Sequence, residues 1–159
     1  MNSPDVIIYT DGSSLGNPGP GGFGTILISG KKKKELAQGF RHTTNNRMEL
    51  MAVIAGLEEL KKENLHVAIY SDSKYVVDAV AKGWLTKWIA SDFKGGKKNK
   101  DLWLRFFHLS KKNQLRFHWI KGHSTNMYNN HCDELATSAG AGKHLVIDVG
   151  YEDLKGIFL

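Results

Sequence analysis

Short apolar segments rich in β-branched residues open the chain and predict three strands. They cover residues 6–10, 24–29 and 35–42. The segment between the first two, residues 11–22, is dense in glycine, serine, asparagine and proline, which is typical of a turn. Four lysines at residues 31–34 separate the second and third segments and indicate a solvent-exposed hairpin turn. The chain is therefore predicted to begin as a group of adjacent strands.

The next apolar pattern has the period of a helix. Its apolar positions follow the spacing i, i+3, i+4 and i+7 and are occupied by Leu50, Val53, Ile54 and Leu57. Thr44 or Asn45 is placed to cap the start of this helix. Residues 65–70 then return to a strand pattern. A strand, a helix and another strand predict a right-handed crossover that joins parallel strands.

The second half of the chain alternates between helical and extended patterns. Two short helices are predicted near residues 73–81 and 84–90, another helix begins near Asp101, and residues 115–120 predict a last strand. A final helix presents one apolar stripe, formed by Cys132, Leu135, Ala136 and Ala139. The order of these elements predicts an α/β fold with a mixed sheet.

Length and composition narrow the class of protein. A chain of 159 residues with 41% apolar and 24% charged residues is typical of one globular domain, which we expect to span residues 1–159. No apolar run approaches the roughly 20 residues that a membrane helix needs, and the N-terminus lacks a signal-peptide pattern. The single cysteine, Cys132, excludes an internal disulfide framework and a multi-cysteine zinc site. These features predict a cytoplasmic protein with no membrane partner.

Charge adds one further indication. The net charge is +6, and the lysines cluster in two runs, at residues 31–34 and 94–100. A basic domain suits a polyanionic partner such as nucleic acid. A solvated basic surface has the same composition, and charge alone says nothing about catalysis.

Four acidic residues carry the candidate chemistry. Asp11 and Asp72 end the first and fourth strands, where ligand sites of α/β sheets form, while Glu49 and Asp133 border packed faces near the starts of two helices. Each residue alone is explained by a turn or by a helix dipole. Together, facing carboxylates would repel each other unless a divalent cation lies between them, and oxygen ligands favour Mg²⁺ or Mn²⁺. Such a site suits phosphodiester hydrolysis with two metal ions.

Five motifs occur in a specific order along the chain. They are YTDGS at residues 9–13, TNNRMEL at 44–50, SDS at 71–73, KGH at 121–123 and CDELA at 132–136. This series closely resembles the type-one ribonuclease H family, in its bacterial single-domain form, from about residue 5 to residue 140. A single one of these motifs would be weak, whereas five in order are highly specific.

The resemblance implies a ribonuclease H-like fold, with a five-stranded mixed sheet flanked by helices. It also implies endonucleolytic hydrolysis of the RNA strand of an RNA–DNA hybrid by a monomer, which leaves 5′-phosphate and 3′-hydroxyl ends. The family's metal-binding carboxylates match Asp11, Glu49, Asp72 and Asp133, and its mobile catalytic histidine matches His123. Two Mg²⁺ ions would bind with the substrate, with Mn²⁺ as a substitute, and Asp11 would bridge them.

The resemblance further implies two substrate contact regions. The first binds the hybrid through the minor groove and a DNA phosphate, and comprises Gly12, Asn17, Thr44, Asn45 and Asn46. The second is a basic protrusion at residues 82–100 that contacts the DNA strand, with Trp84, Lys97 and Lys98 as its candidate residues. Trp88 either joins this contact or packs in the core.

Parts of the chain depart from the family pattern. Thr125 and Asn130 stand where glycine and glutamate are common, whereas Asn129 matches a frequent asparagine. The tail, residues 141–159, is weakly informative. Two alternative functions stay open: a non-catalytic module that binds hybrids, and another nuclease or strand-transfer enzyme of the same fold.

Overall fold

A mixed sheet with helices on both faces forms the centre of the fold. The structure is a computed structural model and describes residues 3–123 and 125–153. The strands are β1 (Val6–Ser14), β2 (Gly19–Ser29), β3 (Lys32–Thr43), β4 (His66–Ser71), β5 (Gln114–Trp119) and β6 (Leu145–Val146). The helices are α1 (Asn45–Glu59), α2 (Lys74–Ala81), α3 (Trp84–Ala90), α4 (Lys100–Ser110), α5 (Met127–Ala141) and α6 (Val149–Asp153).

The strand order is β5-β4-β1-β2-β3-β6. β1, β2 and β3 pair antiparallel, whereas β4 pairs parallel with both β1 and β5. The predicted α/β class and mixed sheet are therefore confirmed. The described residues hold six strands rather than five, because Leu145 and Val146 pair with Gly39 and Phe40 at the far edge. This strand of two residues lies in the tail, where the sequence pattern indicated nothing.

The α1 helix follows its predicted pattern closely. Thr44 is its N-cap, and the Thr44 side-chain oxygen accepts a hydrogen bond from the Arg47 N–H. The four apolar positions of the predicted stripe, from Leu50 to Leu57, are all buried. They pack with Trp103 and Phe106 of α4 and with the inward residues of β1 and β4 in one core. This packing holds the start of α1 against the sheet.

The α5 helix lies directly on the backbone of β2 and β3. A Cβ atom on Gly22 would come within 2.5 Å of the Ala136 carbonyl oxygen, and one on Gly24 would overlap the Cys132 carbonyl oxygen. Glycine allows this close approach because it has no side chain. Cys132 is fully buried there, as its place on the apolar stripe predicted.

Two expected positions differ in the structure. β1 does not end at Asp11 but continues to Ser14, because Gly12, Ser13 and Ser14 pair with β2. The expected turn at residues 11–22 shortens to residues 15–18, and Asp11 lies within the strand. Asp133 lies in the second turn of α5 rather than at its start, since α5 begins at Met127.

None of the helices within residues 3–123 and 125–153 is both long enough and apolar enough to span a membrane. The tail expected at residues 141–159 is described as far as residue 153, and the remainder lies outside the described residues.

Candidate functional site

Three carboxylates from three different elements meet at one edge of the sheet. Asp11 comes from β1, Glu49 from the first turn and a half of α1, and Asp72 from the residue that follows β4. One oxygen of each carboxylate lies within 4.8 Å of the others. Asp11 and Glu49 are buried, with exposed fractions of only 5% and 6%, and Asp72 is partly buried.

The fold brings these residues together in two ways. Tyr9 of β1 is level with Tyr70 of β4 in a parallel pair, so Asp11 and Asp72 come two residues later at the same edge. A Cβ atom on Gly12 would overlap the backbone nitrogen of Glu49. Because Gly12 has no side chain, β1 can approach α1 closely enough for Glu49 to reach Asp11.

Burial and mutual repulsion act strongly on these groups. Burial, followed by the charge of Asp72, raises the pKa of Asp11 to about 8. Burial, followed by the charges of Asp11 and Asp72, raises the pKa of Glu49 well above its ordinary value. Two oxygens, Glu49 Oε1 and Asp72 Oδ1, are buried without a hydrogen-bond partner among the described residues. Such acceptors are costly unless a cation compensates them.

The three residues fit a divalent metal ion. They offer only carboxylate oxygens, which are the ligands preferred by hard cations such as Mg²⁺, Mn²⁺ and Ca²⁺. A cation here would give the two unpartnered oxygens a ligand role and would relieve the repulsion that raises both pKa values. The buried, unpartnered carboxyl oxygens and the raised pKa values distinguish the group from an ordinary acidic surface.

Asp133 and His123, the other two predicted active-site residues, lie beside this group rather than within it. Asp133 does not belong to the described set of three, although its charge adds to the rise in the pKa of Asp11. The Asp133 Oδ2 atom lies 3.9 Å from Nδ1 of His123. His123 has the left-handed backbone angle φ = 55°, and its side chain is 85% exposed. The next residue, Ser124, lies outside the described residues.

Residues predicted to contact the hybrid lie close to the start of α1. The Asn17 side-chain oxygen accepts a hydrogen bond of 3.0 Å from the Asn45 N–H, which joins the β1–β2 turn to the helix. Asn46 is exposed, while the Thr44 hydroxyl is occupied in capping α1. Gly12 is buried, and its N–H donates to the Asp11 carboxylate.

The predicted basic protrusion combines α3 with the turn that follows it. Trp84 is 37% exposed, and the Lys82 ammonium lies 5.4 Å from its ring centroid. Trp88 instead packs among aromatic rings that include Trp103, so its alternative role in the core is the one observed. Lys97 and Lys98 are exposed, and Lys97 lies over the Trp88 ring.

A buried ion network next to the site had no sequence signal. Arg47 is 1% exposed and donates hydrogen bonds to the carboxylates of Asp148 and Asp101, with distances of 2.7–2.9 Å. Thr43 also donates to Asp148. Burial lowers the pKa of Arg47, but the two carboxylates outweigh it and raise the pKa overall. The network ties the tail and α4 to the start of α1, two residues before Glu49.

Comparison with known proteins gives consistent matches. A family model described as RNase H matches residues 3–141. A Ribonuclease H of Trichodesmium erythraeum is 51% identical over 152 residues, which cover 93% of this chain and 96% of that protein. A Ribonuclease H of Desulforamulus reducens is 47% identical over 152 residues, covering 93% and 95%.

Solved structures give the same match. LC9-RNase H1, described as a type 1 RNase H with the type 2 active-site motif, has a TM-score of 0.79 and 28% identity, with 97% of this chain and 82% of that one covered. LC11-RNase H1, solved in complex with an RNA/DNA hybrid, has a TM-score of 0.63 and 26% identity, with coverage of 85% and 96%.

Proposed function

Because the chain belongs to the RNase H family, we propose that it is a metal-dependent endoribonuclease that hydrolyses the RNA strand of RNA–DNA hybrids. The observation that carries the proposal is the meeting of Asp11, Glu49 and Asp72 with two buried oxygens left unpartnered. A non-catalytic binding module would have no need to keep this unfavourable arrangement of buried charge.

The proposed substrate is supported by a relative and by charge. LC11-RNase H1 has been solved with an RNA/DNA hybrid. The chain carries a net charge of +6, which suits a polyanion. We propose that Asn17, Asn45 and Asn46 contact the minor groove of the hybrid beside the carboxylates. We also propose that the backbone near Gly12 approaches the RNA strand and that Thr44 contacts a DNA phosphate. Trp84, Lys97 and Lys98 would contact the DNA strand.

The proposed chemistry assigns a role to each residue of the site. Asp11, Glu49, Asp72 and Asp133 would hold two divalent ions. Bound ions would activate the attacking water and stabilise the leaving 3′-oxygen. Water would attack phosphorus and the bond to the 3′-oxygen would break, which yields 5′-phosphate and 3′-hydroxyl ends. His123 is exposed beside Asp133, where its ring could exchange a proton with bulk solvent.

The experiment is a cleavage assay on a labelled RNA–DNA hybrid, a DNA duplex and an RNA duplex, with Mg²⁺ and with a chelator. We expect cleavage of RNA in the hybrid only, and none with the chelator. Asp72→Asn should abolish cleavage while hybrid binding persists. Asp78→Asn is the matched control, because Asp78 lies on α2 and pairs with Lys82 rather than with the carboxylate group.

The assay also separates the alternative functions. Hybrid binding by wild-type protein without any product would favour the non-catalytic module. Cleavage of the DNA duplex would favour another nuclease or strand-transfer enzyme of this fold. Normal cleavage by the Asp72→Asn variant would contradict the metal-ligand assignment.

Three further parts of the proposal need their own measurements. We propose Mg²⁺ as the working ion with Mn²⁺ as a substitute, which a comparison of metals in the cleavage assay tests. We also propose that residues 1–159 act as one domain and as a monomer, which limited proteolysis and light scattering test. The proposed cytoplasmic location is tested by cell fractionation.

A further inference from the structure

Trp119, the last residue of β5, is unusually exposed for a tryptophan. Its side chain is 45% exposed, and no part of the proposed substrate surface includes it. Its indole N–H donates a hydrogen bond of 3.0 Å to the backbone carbonyl oxygen of Asp72. The Lys74 ammonium lies 4.8 Å from the ring centroid, on the first residue of α2. The ring is thus held in one orientation although much of it faces solvent.

Ile120 and Gly122, which follow Trp119, make two more contacts with Ser71 and Asp72. The Ile120 N–H donates to the Ser71 carbonyl oxygen at 2.9 Å, which extends the pairing of β4 and β5 by one residue. Gly122 packs so closely that a Cβ atom there would lie 2.6 Å from Asp72 Oδ2. The chain from Trp119 to Gly122 therefore encloses the Asp72 backbone and one side of its carboxylate.

The position of the Asp72 carboxylate depends on this support. Asp72 follows the end of β4, and its Oδ1 atom is buried without a partner among the described residues. The Asp72 side chain is hydrogen-bonded to that of Glu49, which is itself one of the proposed metal ligands. The hydrogen bond from the Trp119 indole N–H to the Asp72 carbonyl oxygen therefore restrains the Asp72 backbone, and Gly122 packs against the carboxylate itself.

We propose that Trp119 is a positioning residue, whose indole N–H holds the Asp72 backbone so that the Asp72 carboxylate faces Asp11 and Glu49 as a metal ligand. The inference rests on the proposed metal-dependent function, but it concerns the affinity for the ion rather than contact with the hybrid. Trp119 itself touches neither the ion nor the scissile phosphate in this role.

The test is calorimetric titration of the protein with Mg²⁺ alone, without hybrid. Trp119→Phe keeps an aromatic ring beside Lys74 and removes the N–H donor. We expect its dissociation constant for Mg²⁺ to rise about fivefold, the equivalent of one hydrogen bond of about 1 kcal/mol. The KM for hybrid at saturating Mg²⁺ should stay within about twofold of wild type, as expected for a residue that does not bind the substrate.

Two further variants are compared with Trp119→Phe. Trp84→Phe is the matched control, because Trp84 is also an exposed tryptophan beside a lysine, and it should leave Mg²⁺ affinity unchanged. Gly122→Ala forces a methyl group against the Asp72 carboxylate and should weaken Mg²⁺ binding more than Trp119→Phe does. A Trp119→Phe variant that binds Mg²⁺ as tightly as wild type would overturn the proposal. So would an unchanged Mg²⁺ affinity combined with a raised KM, which would make Trp119 a substrate contact.

A measurement on the wild-type protein covers the case in which Trp119→Phe does not fold. The four tryptophans give four indole N–H resonances, which nuclear magnetic resonance resolves. Addition of Mg²⁺ should shift the Trp119 resonance and leave that of Trp84 in place; an unmoved Trp119 resonance would overturn the proposal. Because neither Mg²⁺ titration uses hybrid, a wild-type protein that binds Mg²⁺ but cuts nothing would refute the proposed function alone.

Discussion

Binding of a divalent ion to the carboxylate group should release protons at neutral pH. Without the ion, burial and the neighbouring charge of Asp72 raise the pKa of Asp11 to about 8, and burial with the charges of Asp11 and Asp72 raises the pKa of Glu49 well above its ordinary value. Asp11 is therefore largely protonated at pH 7, and Glu49 holds its proton more tightly than an ordinary glutamate does. A bound cation requires them as carboxylates, so the ion and the protons compete.

The size of this competition follows from the pKa values. A group with a pKa of about 8 is about nine-tenths protonated at pH 7. We therefore expect release of about one proton from Asp11 for the first Mg²⁺ bound at pH 7. The association constant for Mg²⁺ should then rise by about tenfold for each pH unit between 6 and 7, and should level off above about pH 9.

The free energy of unfolding of the metal-free protein should fall as the pH rises, whereas the association constant for Mg²⁺ rises. The pKa of Asp11 is higher in the folded protein than its ordinary value of 3.8. The folded state therefore binds this proton more tightly than the unfolded chain does. Its contribution to stability is fully present below about pH 3.8 and is lost as the pH rises through about 8. Saturating Mg²⁺ should remove much of this loss.

The assay is calorimetry at pH 7 in buffers of different ionisation enthalpy, since the dependence of the observed heat on the buffer gives the number of protons released. Asp11→Asn should reduce that number by about one. The Asp78→Asn variant should release as many protons as wild type, because Asp78 lies outside the group. Release of fewer than about half a proton by wild type would refute the reasoning, because the carboxylates would then be ionised before the ion binds.

Two other predictions concern the remainder of the molecule. Asp148→Asn leaves the half-exposed Asp101 as the one charged partner of the buried Arg47 guanidinium among the described residues. Breaking such a buried pair should lower the free energy of unfolding by about 3–5 kcal/mol, or the thermal midpoint by roughly 6–20 °C. Lys98→Ala should weaken hybrid binding and reduce the slope of log K against log salt by about 0.7–0.9, if Lys98 contacts one phosphate; the measurement is a salt titration of hybrid binding.

Each of these predictions has a matched control. Glu58→Gln breaks an equally well-formed ion pair with Arg105 at the surface, and should cost less than about 1 kcal/mol in the same thermal measurement. An Asp148→Asn variant as stable as this control would contradict the importance of the network. Lys62→Ala removes a lysine outside the protrusion, and an equal change of salt slope in both lysine variants would count against a specific phosphate contact.

The sequence predicted those features that depend on neighbouring residues or on regular spacing. The α1 helix is an example, since its cap and its apolar stripe are both local. The ends of elements were less well predicted. Gly12 to Ser14 have the composition of a turn, yet they extend β1 because β2 supplies backbone partners for them. Pairing with a strand further along the chain overrides local preference there.

The sequence predicted which residues would form the site, but not the hydrogen bonds and ion pairs that hold them in place. Strand order and helix faces predicted that Asp11, Glu49, Asp72 and Asp133 would converge, and the motifs added His123. In the structure the first three meet, and Asp133 lies beside them. The restraints on them join residues distant in sequence, such as Arg47 with Asp148 and Trp119 with Asp72. A single sequence contains no periodic signal for such pairs, because one side chain meets one distant carboxylate or carbonyl group.

The Arg47 network also joins the start of α1 to a residue beyond the family match. The family model matches only as far as residue 141, which would mark the following segment as dispensable. Yet Asp148, seven residues further, neutralises a guanidinium that is buried two positions from Glu49. A boundary drawn from family similarity would therefore separate a buried cation from its counter-ion. We therefore expect a shortened or fused form of the chain to need residues up to at least Asp148 if the start of α1 is to keep its counter-ion.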